Sequence, residues 1–312
     1  MKGYRALVGP ALVVLLFLVG MVWSPFAPHR EPSGTGGLGE EVGSWADSDW
    51  AVFSAVVERA IDAQLDTLPI GALMAELGRS LVGTPYVPGT LEVEGAERLV
   101  IDFQGLDCVT FVENIFAIAQ LLKGDARSRV QTRATLEDEY EVILTELRYR
   151  DRTIEGYASR LHYFSDWIGD AQRKRLVLNI TRDLGGVLDR EPIEFMSTHA
   201  EAYRQLADPR KVELVRDAEL RLSEEGRHFI PEEAIEAISG KIHDGDIIAA
   251  TSTVDGLDVA HTGLALWVDG ELHLMHAPLA GEAVQISEMT LSERILRIEG
   301  QDGIIVARPR ER

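Results

Sequence analysis

One stretch constrains the fold more than any other. HTGLALWV (261–268), Asp269-Gly270 and ELHLMHA (271–277) are two apolar runs joined by an Asp-Gly pair. Asp-Gly suits the two-residue type I′ turn, whose central residues need positive φ, so the segment is predicted to be an antiparallel hairpin. With Val268 opposite Glu271, Gly263 falls opposite His276 and Leu266 opposite His273. Opposed residues share a face and faces alternate along a strand. His261, Gly263 and His276 are therefore expected on one face of the sheet, and His273 on the other. His261 and His276 become diagonal neighbours, with Gly263 leaving space between them. The H-L-M-H motif cannot chelate one metal ion, because strand residues three apart point opposite ways. There is no H-E-x-x-H motif, and no metal ligand set is expected.

The rest of the chain arranges itself around that hairpin. The spacing predicts helix from Trp50 to about Leu81, broken at Pro69. Residues 83–95 are turn-rich, with a short strand. LVIDF (99–103) is a further strand candidate, and a helix begins at CVTFVENIFAIAQLL (108–122). Residues 124–240 are expected to be a mostly helical insertion. Strands return at 246–251, 283–286 and 303–309. Helices first and strands last give an α+β class rather than a wound parallel sheet.

Cys108 is the one cysteine among 312 residues, which excludes an intramolecular disulfide and every multi-cysteine metal pattern. Asp107 is placed to cap the helix that Cys108 opens. Val112, Ile115, Ala119 and Leu122 follow at helical spacing, so Cys108 is expected to top a core-facing stripe. A thiol at a helix N-terminus is expected to lean towards thiolate. A nucleophilic cysteine needs a base and the base needs an orienting group, which His261 and His276 can supply.

The N-terminus bears on location. Lys2 and Arg5 precede an uncharged apolar stretch from Ala6 to Pro28. Residues 1–28 read as a signal peptide or an N-terminal membrane anchor, the apolar part being long enough to span a bilayer. Residues 29–45 read as a flexible Gly/Ser-rich linker. Their G-T-G-G-L-G has no strand before it, so a dinucleotide site is rejected. The expectation is export to a bacterial periplasm or cell envelope, with residues 6–28 available as an inner-membrane anchor, and one catalytic domain over 46–312. The 31 basic residues against 51 acidic, a net charge of −20, argue against nucleic acid as a partner.

Five motifs occur in one order: G-T-P-Y (83–86), L-D-C-V-T-F-V-E (106–113), D-G-D-I-I (244–248), A-H-T-G-L-A-L (260–266) and L-M-H-A (274–277). Together they resemble the NlpC-type papain-like cell-wall hydrolases. R-Y-R-D-R-T-I-E-G-Y-A-S-R-L-H-Y-F-S-D-W-I (148–168) and F-M-S-T-H (195–199) resemble the N-acetylmuramoyl-L-alanine amidase-like branch of that superfamily. The resemblance covers residues 75–310. It implies a nucleophile helix packed on an antiparallel sheet, and hydrolysis of a peptidoglycan amide without a cofactor. It makes Cys108 the nucleophile, His261 the base, His276 the third polar residue and Tyr86 the tyrosine beside the cysteine. Members typically carry Ser or Thr after the cysteine, where this chain has Val109.

Between Arg148 and Arg175 there are seven basic residues and four acidic ones. Free carboxylates of murein peptides suit arginine forks, so Arg160 is the expected carboxylate contact, with Tyr157 packed beside it. Asp107 and His199 join them as expected substrate-binding residues. The bond is expected to be N-acetylmuramoyl–L-alanine, in intact peptidoglycan or muropeptide fragments. The alternatives are a γ-D-glutamyl–diaminopimelate endopeptidase of the same fold, an acyltransferase, and a catalytically idle wall-binding or anchored interaction protein.

Overall fold

The computed structural model describes residues 45–124, 132–279 and 282–311. The expected signal or anchor at 1–28 and the linker up to residue 44 lie outside the described residues. Among the described residues no helix is long and apolar enough to cross a membrane.

The predicted helical stretch before Leu81 is two helices, α1 (Asp47–Asp62) and α2 (Ile70–Ser80), with Pro69 at the N-cap of the second. Helix α3 (Cys108–Lys123) follows, then α4 (Arg133–Arg148) and α5 (Phe164–Arg173). Three short strands come next, β1 (Val177–Asn179), β2 (Val187–Asp189) and β3 (Arg227–Pro231), with α6 (Pro209–Glu225) between the last two. The C-terminal part is β4 (Ile247–Ser252), β5 (Val259–Val268), β6 (Glu271–His276), β7 (Gln285–Thr290), α7 (Leu291–Arg297) and β8 (Gln301–Pro309).

The sheet runs β2-β3-β8-β4-β5-β6-β7, with β1 also on β8, and its pairings are antiparallel. The result is a mixed α/β fold, helices packed against an antiparallel sheet. The hairpin has the expected register, with Leu264 opposite Met275, Leu266 opposite His273 and Val268 opposite Glu271. Asp269 and Gly270 both have positive φ, as the type I′ turn requires.

Helix α3 is more than an amphipathic helix with one apolar stripe. From Thr110 to Leu122 every residue is buried, because α2, α4 and β5 enclose it. The insertion at 124–240 is not purely helical. Its β3 pairs with β8 and its β1 pairs with the far end of the same strand, so the insertion is stitched into the sheet.

LVIDF is extended but does not join the sheet. Side chains take up its backbone groups instead: the Phe103 N–H donates to Asp49, and the Val100 carbonyl accepts from Arg148. Pro85 and Tyr86 make only isolated bridges, to Ala283 and Leu106, in place of the short strand expected near them. The strand expected at 283–286 begins at Gln285 and continues to Thr290, two residues later than its pattern implies.

Candidate active site

Cys108 opens α3 over a true capping box. The Asp107 carboxylate accepts from the Val109 N–H (3.1 Å) and the Thr110 N–H (2.8 Å), and the Thr110 hydroxyl accepts from the Asp107 N–H (2.9 Å). Orphan donors of the first turn are thereby satisfied and the cysteine is fixed in place. Asp107 lines the cleft, and its Oδ1 serves the cap.

The sulfur meets the sheet at β5. Backbone N–H groups of Thr262, Cys108 and Val109 lie near enough to the sulfur to favour its charged form, so the residue after His261 sits beside the thiol. A bulge at Ala260, where β5 carries one extra residue against β4, sits immediately before His261. Bulges re-aim the side chains next to them, and this one lies beside the imidazole facing the cleft. His261 Nε2 lies 2.6 Å from His276 Nδ1, the rings edge to face with centroids 4.9 Å apart. A Cβ added at Gly263 would lie 2.9 Å from that of His276, so the glycine lets β6 approach. His273 is on the opposite face, its Nδ1 on the Ser287 carbonyl at 2.9 Å.

The expected leaning towards thiolate is overturned. Burial pushes the Cys108 thiol up to about 12, the Asp107 carboxylate adds to the rise, and the three backbone N–H groups oppose it only in part. Burial holds His261 well below the usual imidazole range, helped by His276 and Arg294. Burial and then Arg294 bring His276 down to about 3. The resting pair is therefore neutral thiol and neutral imidazole. The Tyr86 phenol is raised by burial, then by Cys108 and Asp107, which places Tyr86 beside the cysteine.

Cys108 and His261 line a cleft closed on the far side by Leu161, Tyr163, Met196, Tyr203 and Leu257. The Tyr163 hydroxyl donates to Glu219 at 2.7 Å and accepts from the Met196 N–H at 2.9 Å, tying α6 and the turn at 195–198 to the cleft wall.

Arg160 also lines the cleft, and its guanidinium lies 5.0 Å from the Tyr157 ring centroid, as expected. It is not, however, a free fork for a substrate carboxylate. It pairs with Glu92 and with Glu97 (3.4 Å) and donates to the Leu91 carbonyl (2.8 Å), all within a site where it is 4% exposed. Tyr157 is buried beneath it, its hydroxyl on Glu92 and its ring off the cleft surface.

Most of the remaining basic residues of the segment are also ion-paired, Arg152 and Arg173 on the surface, while Arg175 is exposed. Arg148 pairs with Glu113 at 2.7 Å with both side chains 2% exposed, Arg150 with Asp166, Arg152 with Glu146, and Arg173 and Lys174 with Asp170. His199 falls outside the cleft: its Nδ1 lies 2.9 Å from the Phe195 carbonyl and its ring stacks on Phe195.

Two cleft residues carry no sequence signal of their own. His162 has Nε2 2.8 Å from the Tyr157 carbonyl, and burial, Arg160 and Arg150 keep it well below the usual imidazole range. A carbonyl only accepts, so Nε2 carries the hydrogen and Nδ1 is left as an acceptor. Asp258, 1% exposed, accepts from the Ser165 and Val259 N–H groups. The i, i+2 relation of His162 to Arg160 was the only available clue to the first.

The AmiA-like family profile, N-acetylmuramoyl-L-alanine amidase-like, matches residues 76–301. No curated protein matches the chain. A N-acetylmuramoyl-L-alanine amidase from Bacteroides uniformis is 34% identical, over 78% of this chain and 99% of that one, with a TM-score of 0.70. A Bacteroides fragilis protein that carries a provisional xylanase name is 37% identical, over 74% of this chain and 98% of that one, with a TM-score of 0.68. A Legionella pneumophila protein, 18% identical over 84% of this chain and 94% of its own, shares the fold with a TM-score of 0.60.

Proposed function

The chain belongs to the AmiA-like, N-acetylmuramoyl-L-alanine amidase-like family of peptidoglycan hydrolases, and from that premise we propose that Cys108 cleaves the N-acetylmuramoyl–L-alanine amide. The observation that carries this reading is the meeting of α3 with the hairpin. Cys108 and His261 line one cleft, and His261 is held through Nε2 by His276. Nucleophile at a helix start, with base and orienting residue on the strands packed against it, is the arrangement of the NlpC-type papain-like hydrolases.

In the proposed reaction the Cys108 proton moves to His261 Nδ1 as the S–C bond forms at the substrate carbonyl. His261 Nε2 must then carry a hydrogen and donate it to His276 Nδ1, the tautomer that the 2.6 Å contact supports. The tetrahedral oxyanion is met by the Cys108 N–H, since those of Val109 and Thr110 serve the cap, with Tyr86 beside it. The imidazolium returns the proton to the departing alanine nitrogen as the C–N bond breaks. Water then attacks the thioester, giving up a proton to His261; the C–S bond breaks, the imidazolium returns that proton to the departing sulfur, and the carboxylic acid is released from the restored thiol.

The cleft carboxylates speak against glycoside hydrolysis. Glu113 is held by Arg148, Asp258 by two backbone N–H groups, and Asp107 through Oδ1 by its cap, so no two of them stand free as an acid and base pair. Peptidoglycan lies outside the cytoplasm, and the apolar stretch 6–28 suits export of a single catalytic domain over 46–312, tethered or released.

Digestion of muropeptides followed by mass spectrometry tests the bond. Free disaccharide together with whole stem peptide is expected. Cleavage between glutamate and diaminopimelate would make it an endopeptidase instead. Cys108→Ala should abolish hydrolysis while leaving the fold intact, and activity retained in that variant would end the cysteine reading. His261→Ala should cost more than His276→Ala, and His273→Ala least.

A further inference from the structure

We propose that Asp258 is a positioning residue of this active site: its buried carboxylate fastens the insertion's wall of the cleft to the strand that carries His261. The inference rests on the reading of His261 as the base.

Asp258 ends the loop between β4 and β5, three residues before His261, and is 1% exposed. Its Oδ1 accepts from the Val259 N–H at 2.7 Å. Its Oδ2 accepts from the Ser165 N–H at 2.8 Å, across 93 residues of chain. On the strand side the Asp258 carbonyl accepts from the Ser252 N–H at 3.2 Å. The loop is thereby closed immediately before the bulge at Ala260 that precedes His261.

On the insertion side, Ser165 is the second residue of α5, where backbone donors have no partner within the helix. Tyr163 at the N-cap supplies no capping side chain. Asp166, the acid of the first turn, is taken up by Arg150 and Arg221. The acceptor for Ser165 comes from Asp258 instead. The same loop is held a second time, its Gly256 carbonyl accepting from the Glu194 and Phe195 N–H groups at 3.0 and 3.1 Å. Gly256 has φ of +77°, and a Cβ there would lie 3.0 Å from the Phe195 nitrogen, so the approach needs a glycine.

Tyr163 and Phe164 before Ser165, and Met196 after Phe195, line the cleft together with His261. One short loop therefore registers the wall that seats a substrate against the base that acts on it. A carboxylate suits the task, having two acceptor oxygens and no hydrogens, which an amide or a hydroxyl cannot match. A slip between wall and base would leave the substrate's contacts in place and cost rate through misalignment. Asp258 also lines the cleft itself, so direct contact with substrate is the competing role.

The test is steady-state kinetics on muropeptides with Asp258→Ala and Asp258→Asn, each normalised to the natively folded fraction by near-ultraviolet circular dichroism. Asp258→Ala should lower kcat about tenfold or more, with a much smaller change in KM. Asp258→Asn should fall in between, since its one oxygen replaces one of the two acceptors. Amide hydrogen exchange supplies a readout that needs no turnover. The Ser165 and Val259 amides should be protected in the wild type and lose protection in Asp258→Ala, while the middle of α5 and of β5 keeps it. Unchanged kcat per folded molecule in Asp258→Ala, a raised KM with kcat intact, or an unprotected Ser165 amide in the wild type would overturn the proposal. Full activity in Cys108→Ala would instead overturn the catalytic reading, and hydrogen exchange would still decide whether Asp258 joins the two elements.

Discussion

At the scale of single residues, the neutral resting pair separates this site from a thiolate stored in advance. With the Cys108 thiol raised to about 12, alkylation by iodoacetamide should rise about tenfold per pH unit from 7 to 9 without a plateau. A plateau near neutral pH would mean a preformed thiolate. Asp107 contributes to that rise and also caps the helix, and the two roles separate by substitution. Asp107→Asn keeps a good cap and removes the charge, so alkylation at pH 7 should quicken with little loss of stability. Asp107→Ala should quicken it too but cost about 1 kcal/mol in urea denaturation. His162→Phe removes the Nδ1 acceptor from the cleft while filling similar space. KM for muropeptides should rise several-fold with a smaller change in kcat, and unchanged kinetics would remove His162 from substrate recognition.

Among the elements, the hairpin was readable because three local signals agreed: Asp-Gly at the turn, alternation on either side, and a glycine opposite a histidine. The start of α3 was readable from Asp107 and the periodicity after it. What could not be read was whatever depends on distant partners. Arg160 finds Glu92 and Arg148 finds Glu113, 68 and 35 residues away, so the two arginines that look most like open carboxylate contacts are held in internal ion pairs. β1 and β2 have three residues each, too few to show a period, and form because β8 and β3 offer their edges. LVIDF has the composition of a strand but lies where side chains, not strands, reach its backbone. Gly263→Ala tests how far the hairpin geometry matters. The added methyl would sit 2.6 Å from the Met275 carbonyl oxygen, so β6 must give way and the His261–His276 contact with it. We expect kcat to fall at least tenfold, with a loss of about 1–3 kcal/mol on denaturation, the range for overpacking.

For the molecule as a whole, three imidazoles folded in the neutral form set the response to acid. The native chain refuses protons at His162, His261 and His276 that the unfolded chain accepts from about pH 6.5 downward. Stability is therefore full above that pH and is lost as the pH falls towards about 3. Asp258, raised by burial, works in the opposite sense over part of the same range. The difference between wild type and His276→Gln isolates the histidine share: the drop in melting temperature from pH 7 to 4.5 should be smaller in the variant. Equal drops would show that His276 is not buried neutral.

Strand β8 comes after every strand it pairs with, and β1, β3 and β4 all depend on it. The insertion and the strands that carry the histidines are joined in one sheet only when this ribbon is laid between β3 and β4. During synthesis the thiol would therefore emerge long before the surface that gives it chemistry, and a ribosome-bound or partly threaded polypeptide would pass through the cell as a chemically quiet precursor without needing a separate inhibitor.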